Sequence, residues 1–134
     1  MYKRQDEQNL VHIKQRLSEH ANAEASQDAV LLHRFIDPEI RNNYDDDERA
    51  RNLASIEDYT SQIQNAAILN FTIDAYTDCG GLGPGNRPTA IVKSKISYND
   101  GRMICNYRTP WVLHDGQWYT RATGRIKWKT QDTN

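Results

Sequence analysis

Two tight turns with the sequence Asp-Gly, at Asp100-Gly101 and Asp115-Gly116, constrain the fold of this chain more than any other feature. Each turn separates two runs in which apolar and polar residues alternate. Asp-Gly in this setting is a strong hairpin signal, because a type I′ turn requires positive φ at both central residues. The stretch from Pro88 to Trp128 is therefore predicted to form three antiparallel strands joined by two hairpins.

The turns also predict which residues face each other across the strands. If Asn99 closes on Arg102 and His114 closes on Gln117, the two registers agree along the central strand. The first hairpin then pairs Ser97 with Ile104, Ile96 with Cys105, Ser94 with Tyr107, Val92 with Thr109 and Ala90 with Trp111. The second pairs Leu113 with Trp118, Trp111 with Thr120, Thr109 with Ala122, Tyr107 with Gly124, Cys105 with Ile126 and Met103 with Trp128.

Because side chains alternate between the faces of a strand, this register sorts them into two sets. The mostly apolar set, called the inner face, is Ala90, Val92, Ser94, Ile96, Tyr98, Met103, Cys105, Tyr107, Thr109, Trp111, Leu113, Trp118, Thr120, Ala122, Ile126 and Trp128. The basic set, called the outer face, is Ile91, Lys93, Lys95, Arg102, Ile104, Asn106, Arg108, Val112, Tyr119, Arg121, Thr123, Arg125 and Lys127. The inner face must be covered by another layer.

The first half of the chain supplies that layer, since its apolar residues recur at helical spacings of three and four. The predicted elements are a helix over 6–23, a second helix from a Ser26 cap to Ile36, a third helix from an Asp45–Glu48 capping box to Asn65, and a first strand over 68–78 in which Leu69, Phe71, Ile73 and Ala75 face inward. The fold class is therefore α+β over residues 6–128, with three N-terminal helices packed on one face of a curved four-stranded antiparallel sheet. A polar tail over 129–134 follows.

Composition bears on the compartment in which the protein resides. The chain has 134 residues, a net charge of −1 and no apolar run long enough to span a membrane. Cys79 and Cys105 are predicted to lie too far apart for a disulfide, which favours a reducing compartment such as the cytoplasm. The first five residues resemble the translation of a transposase adapter used in sequencing libraries. We therefore expect the native N-terminus to differ, so the chain decides nothing about a leader or anchor.

The C-terminal half carries a family resemblance in the segments PTAIVKSKI, NDG and above all WVLHDGQWY, from Trp111 to Tyr119. With helices followed by antiparallel strands, it resembles the nuclear transport factor 2-like superfamily, the SnoaL-like or cystatin-like cone fold. That resemblance implies an interior pocket and dimers formed through the outer sheet face. It also implies several functions, because the superfamily includes enzymes, transport factors and secretion components.

An enzymatic function would require an acid or base in the pocket. In enzymes of that superfamily this group is an Asp, Glu or His side chain. The predicted inner face carries no carboxylate and no histidine, so the candidates come from the helices: His33, beside an apolar stripe, and Asp37, at a helix end. A histidine in that position is more often structural. The sequence therefore favours a small-ligand-binding or protein-interaction module over an enzyme using His33 or Asp37.

The predicted pocket is mostly apolar with a few polar groups, as small-molecule sites are. Its predicted lining is Leu32, Phe35, Phe71, Ile73, Val92, Tyr107, Thr109, Trp111 and Trp118. A filled core is the alternative. No cofactor or metal is expected, since the acidic run at Asp45–Glu48 is explained by a helix start and the glycine-rich segment 79–86 leads into a strand rather than a phosphate-binding helix.

The outer face combines cations with apolar residues, which suits contact with a second copy of the chain. The residues predicted to make that contact are Ile91, Lys93, Lys95, Ile104, Arg108, Val112, Tyr119, Arg121 and Arg125. Cations next to an aromatic ring also suit a phosphate backbone. Nucleic acid is the less favoured partner, and a homodimer is preferred.

Overall fold

The computed structural model describes residues 2–77 and 87–122. Its elements are α1 (Tyr2–Ala25), α2 (Ala29–Arg34), α3 (Pro38–Arg41), α4 (Asp46–Thr60), β1 (Ala66–Thr77), β2 (Thr89–Tyr98), β3 (Met103–His114) and β4 (Gln117–Thr120). The strands form one antiparallel sheet in the order β1-β2-β3-β4. The α+β class and the four-stranded antiparallel sheet are confirmed, and the curvature of the sheet stays a prediction.

Both Asp-Gly turns have the backbone conformation that the sequence predicts. The φ angles are +57° and +90° at Asp100 and Gly101, and +50° and +80° at Asp115 and Gly116. All five predicted pairs between β2 and β3 are present, as are Leu113 with Trp118 and Trp111 with Thr120. The turn chemistry and the alternation thus specified the register of the hairpins.

The last predicted strand is shorter than expected. β4 ends at Thr120, so the predicted pair of Thr109 with Ala122 is wrong. The reason is local: the Arg121 N–H donates to the Pro110 carbonyl oxygen at 2.9 Å, but proline has no N–H to donate in return, so the ladder stops there. The predicted pairs of Gly124, Ile126 and Trp128, and the polar tail, lie outside the described residues.

The helical half has four helices before the sheet rather than three, because Pro38–Arg41 forms the short helix α3. Ser26 is not the cap of α2. Gln27 has a φ of +57°, and Asp28 caps the helix by accepting a hydrogen bond from the Leu31 N–H at 3.1 Å. The predicted capping box of Asp45 and Glu48 is confirmed at the start of α4, which ends at Thr60 rather than Asn65.

A bulge interrupts the predicted alternation in β1. Ile68 pairs with Ile96 and Asn70 pairs with Lys95, which leaves Leu69 as an extra residue. An extra residue reverses the side-chain alternation locally. Leu69 was predicted to face the core, but its side chain is 54% exposed, and Ile68 packs against the core in its place.

The helices cover the inner face through two apolar clusters. The first contains Ala23, Ala29, Leu32, Ile56, Tyr59, Ile63, Ile96 and Tyr98. The second contains Ile13, Leu17, Phe35, Ala90, Val92, Trp111 and Trp118. Within residues 2–77 and 87–122, no helix combines the length and the apolar character needed to cross a bilayer.

Candidate functional site

A cavity of about 240 Å³ lies between the helices and the inner face of the sheet. It is lined by Leu17, His20, Glu24, Tyr59, Val92, Ser94, Ile96, Tyr98, Tyr107, Thr109, Trp111, Thr120 and Ala122. Most of these side chains are apolar or aromatic. Among the described residues of the lining, Glu24 carries the one carboxyl group, which makes this residue the chemical centre of the site.

Two phenol groups hold the Glu24 carboxyl in place. The Tyr59 hydroxyl donates to Oε2 at 3.0 Å, and the Tyr98 hydroxyl donates to Oε1 at 2.9 Å. The Tyr98 oxygen also lies 3.0 Å from the Tyr107 hydroxyl. Glu24 is only 3% exposed, so α4 and the strands β2 and β3 together enclose an acid that α1 supplies.

The enclosure changes the acidity of these groups. Burial raises the pKa of Glu24 to about 7, although hydrogen bonds from Tyr98 and Tyr59 act in the opposite direction. Burial and the nearby Glu24 carboxylate raise the pKa values of Tyr59 and Tyr98 well above that of an ordinary phenol. At neutral pH the carboxyl group is therefore poised between its two protonation states while both phenols remain proton donors.

His20 is the second titratable group in the lining. Its Nδ1 lies 3.9 Å from Glu24 Oε1, and its ring stands edge-on to Phe35 and Trp111, with centroids 5.1 and 6.2 Å away. Burial lowers the pKa of His20 to about 4, and the nearby Arg16 charge adds to the effect. His20 is consequently neutral at physiological pH and does not act as a cationic partner of Glu24.

The arrangement follows from the periodicity of α1. Ile13 and Leu17 form its inward stripe and pack in the second apolar cluster. His20 and Glu24 continue that stripe at spacings of three and four, so the helix carries them to the same side. The predicted helix over 6–23 contained His20 but ended before Glu24, and neither residue was assigned to its inward stripe. Extending the stripe by one turn would have found them.

Four of the nine residues predicted to line the pocket do so: Val92, Tyr107, Thr109 and Trp111. The prediction is wrong for the other five, which are not part of the lining: Leu32, Phe35, Phe71, Ile73 and Trp118. Leu32 lies in the first apolar cluster, Phe35 and Trp118 lie in the second, and Phe71 and Ile73 pack against the second. These side chains fill space on either side of the cavity and so set its limits.

Neither helix-borne catalytic candidate reaches the cavity. The His33 side chain turns toward α4, where its Nδ1 lies 2.8 Å from Asn52 Oδ1. Asp37 caps α3 and is fully buried. Neither candidate therefore supplies an acid or base to the cavity, because hydrogen bonds and packing direct both side chains elsewhere.

Asp37 instead joins two parts of the fold through arginines. Arg87 donates to both of its carboxylate oxygens, at 2.8 Å each, and Arg121 donates to Oδ2 at 2.6 Å. Burial alone would raise the pKa of Asp37, but the hydrogen bonds from Arg87 and Arg121 outweigh it and lower the pKa to about 2. The Asp37 carboxylate therefore stays charged and serves as a structural ion-pair centre.

The outer face is only partly open. Ile104 is 49% exposed and Lys93, Lys95 and Arg108 are exposed, whereas Ile91 and Tyr119 are half-buried. One predicted contact residue is corrected, because Val112 is fully buried. Arg121 is paired with Asp37, and 30% of its side chain remains exposed. The reason is that the segment around α3 meets this end of the face, where Arg41 also lies 5.9 Å from the Tyr119 ring. Arg125 lies outside the described residues.

Metal ligands do not cluster in the described ranges 2–77 and 87–122, where no group of three or more His, Cys, Asp or Glu side chains could hold an ion. Cys79 lies outside the described residues, and Cys105 is a free thiol. Burial raises its pKa above the ordinary value, which disfavours the reactive thiolate. The titratable groups that distinguish the cavity are therefore Glu24, the phenols of Tyr59 and Tyr98 that bond to it, and His20.

Comparison with known proteins gives no family. No family model matches the chain, and no curated protein matches it. A solved structure that does match is the solution structure of a SEC-C motif containing protein from Rhodopseudomonas palustris. The match has 14% identity and a TM-score of 0.40, and it covers 79% of this chain and 72% of that chain. The predicted resemblance to the nuclear transport factor 2-like superfamily is wrong, since the structure found is a SEC-C motif protein and none of the comparisons indicates that superfamily.

Proposed function

We propose that this protein is a small-ligand-binding module whose site is the cavity around Glu24. The observation that carries the proposal is a buried carboxyl group, held by two phenols, inside an otherwise mostly apolar cavity. A few fixed polar groups in an apolar enclosure are the usual composition of a small-molecule site. The apolar walls would bind the body of the ligand, and Glu24 and Ser94 would orient its polar group.

The size of the cavity limits the ligand. A dry cavity of about 150 Å³ is sufficient for benzene in a well-studied protein. A volume of about 240 Å³ therefore suits a molecule of one ring with a short polar substituent. Benzyl alcohol has this shape and carries no charge, so it tests the cavity separately from the electrostatics of Glu24.

Binding of benzyl alcohol can be measured by saturation-transfer NMR and by the change in tryptophan fluorescence when the ligand contacts Trp111, which lines the cavity. The blocking variant is Ser94→Leu, because Ser94 lies on the inner face of β2 and lines the cavity. Its matched control is Lys95→Leu, which adds the same side chain to the opposite, exposed face. We expect binding to the native chain and the control but not to Ser94→Leu. Equal binding by both variants, or none by the native chain, would refute the proposal.

Proton transfer is a second candidate function, favoured by the pKa of about 7 at Glu24. A carboxylate with that pKa is a stronger base than an ordinary exposed carboxylate. A general probe is 5-nitrobenzisoxazole: a base removes its carbon-bound proton, the N–O bond breaks, and a coloured cyanophenolate forms. Turnover that Glu24→Gln abolishes would support catalysis. Binding of the probe without ring opening would leave the protein a binding module.

A further inference from the structure

The charges of the cavity are unbalanced, which points to the kind of ligand it takes. Within 2–77 and 87–122, thirteen residues line the cavity, and they carry one carboxyl group, one imidazole and no Lys or Arg side chain. The imidazole of His20 is neutral, and the partners of Glu24 are the phenols of Tyr59 and Tyr98. Among the residues that the structure describes, an ionised Glu24 therefore stands in the cavity with neutral donors and without a cation.

The nearest arginine of α1 is engaged elsewhere. The Arg16 Nε donates to the Trp118 carbonyl oxygen at 2.8 Å, its Nη1 lies 3.3 Å from Glu19 Oε1, and its guanidinium stacks 4.1 Å from the centroid of the Phe35 ring. Arg16 is not part of the cavity lining. It therefore does not compete with a ligand for the Glu24 carboxylate.

A buried carboxylate without a cation is costly, and a positively charged ligand removes that cost. Two of the four lone-pair positions of the carboxylate are used by the phenols, so at least one position remains for a ligand N–H. Four aromatic side chains also line the cavity: Tyr59, Tyr98, Tyr107 and Trp111. Aromatic walls attract organic cations, and more strongly where water is excluded.

We propose that the ligand class is a small organic ammonium ion, in which an apolar body of about one ring carries a protonated amine. The ammonium group donates to Glu24, and the body lies against the aromatic and aliphatic walls. This inference rests on the proposed function, because it names the chemical class that the same cavity would bind. Benzylammonium is the probe, with benzyl alcohol as its neutral analogue and benzoate as its anionic analogue.

The charge of the ligand couples binding to a proton. Glu24 must ionise to receive the ammonium group, so below pH 7 binding of the ligand releases one proton from Glu24. The affinity for the ammonium ion therefore falls about tenfold for each unit by which the pH is lowered below 7. The groups that face Glu24 are His20 on α1, with Arg16 beyond it, Tyr59 on α4, Tyr98 on β2, and Tyr107 and Cys105 on β3. The phenols and the thiol stay protonated at neutral pH and His20 stays neutral, so the released proton comes from Glu24.

The experiment is isothermal titration of the whole chain with the three probes at pH 6, 7 and 8. We expect benzylammonium to bind at least about tenfold more tightly than benzyl alcohol at pH 8, because a hydrogen bond to a charged group contributes that much. Benzoate should not bind measurably. Repeating the pH 6 titration in buffers of different ionisation enthalpy should show the release of close to one proton.

Glu24→Gln is the decisive variant, since it keeps the size of the side chain and removes the charge. It should lose the preference for benzylammonium and still bind benzyl alcohol, which also proves that the variant folds. Glu19→Gln removes an exposed carboxylate from the same helix and should behave like the native chain. If benzyl alcohol binds and benzylammonium binds no more tightly, this inference fails while the proposed function stands. If no probe binds, the proposed function fails with it.

Discussion

Replacing either Glu24 or His20 should reveal two opposed pH dependences that nearly cancel in the native chain. Burial raises the pKa of Glu24 from 4.5 to about 7 and lowers the pKa of His20 from 6.5 to about 4. Folding therefore makes Glu24 hold its proton more strongly and makes His20 hold its proton less strongly. Stability changes with pH wherever the folded and unfolded chains bind different numbers of protons.

The sign differs between the two residues. Between pH 4.5 and 7 the folded chain keeps the Glu24 proton that the unfolded chain has lost, so the free energy of unfolding falls as the pH rises. Between pH 6.5 and 4 the unfolded chain takes up a proton at His20 that the folded chain refuses, so the free energy of unfolding falls as the pH drops. One pKa unit corresponds to about 1.4 kcal/mol, so the Glu24 contribution is about 3 kcal/mol.

The His20 contribution has a similar upper limit and is smaller, because 22% of its side chain is exposed. In the native chain the two effects oppose each other over the shared range from pH 4.5 to 6.5. In Glu24→Gln only the His20 effect remains, so the free energy of unfolding should rise with pH by up to about 3 kcal/mol. In His20→Gln only the Glu24 effect remains, and it should fall by about 3 kcal/mol.

Urea unfolding, followed by far-UV circular dichroism and tryptophan fluorescence, measures these free energies at half-unit steps from pH 4 to 8. Glu19→Gln is the control, because Glu19 is exposed on the same helix, and its profile should follow that of the native chain. Slopes of opposite sign in the two cavity variants are the expected result. If both variants retain the native profile, then Glu24 and His20 do not share a buried site, and the argument from burial is wrong.

Three further predictions concern the rest of the fold. Arg87→Gln should destabilise the chain by about 3 kcal/mol in urea unfolding at pH 7, because it removes one partner of the buried Asp37, and the loss should shrink as the pH falls from 3.8 toward 2. Asn99→Ala should lower the free energy of unfolding by about 1 to 2 kcal/mol, measured by thermal unfolding. The Asn99 side chain accepts a hydrogen bond from the Gln64 N–H and donates one to the Gln62 carbonyl oxygen, and alanine removes both. Ile104→Lys should convert the predicted outer-face dimer into monomers in sedimentation equilibrium, and a monomeric native chain would refute that dimer.

The hairpin half of the fold could be predicted from the sequence because its determinants are local. Asp100-Gly101 and Asp115-Gly116 fix the turns, and the period-two alternation then fixes every pair between β2 and β3. The same reasoning failed in β1, where the bulge at Leu69 depends on how the strand pairs with Lys95 rather than on its own pattern. The alternation of apolar and polar residues predicts which face of the sheet a side chain occupies only where no bulge interrupts the strand pairing.

The candidate site could not be predicted as fully, because its contacts join distant parts of the chain. Glu24 meets Tyr59 and Tyr98, which follow it by 35 and 74 residues. Asp37 meets Arg121 after 84 residues. Nothing in the local sequence specifies such partners. A polar residue on an apolar stripe, as Glu24 is on α1, is the one local signal that these contacts leave.

The position of the cavity within the two layers explains why it stays open. The inward stripe of α1 changes from Leu17 to His20 and Glu24, the inner face of β2 changes from Val92 to Ser94, and all five residues line the cavity. Larger apolar residues at these positions would fill the space, and filling a cavity commonly raises stability by about 0.5 to 2 kcal/mol. Ser94→Leu should therefore be at least as stable as the native chain in urea unfolding while it loses the binding of benzyl alcohol. A destabilised Ser94→Leu variant that still binds benzyl alcohol would show that Ser94 faces packed side chains rather than open space and that the probe binds elsewhere, which would refute this explanation.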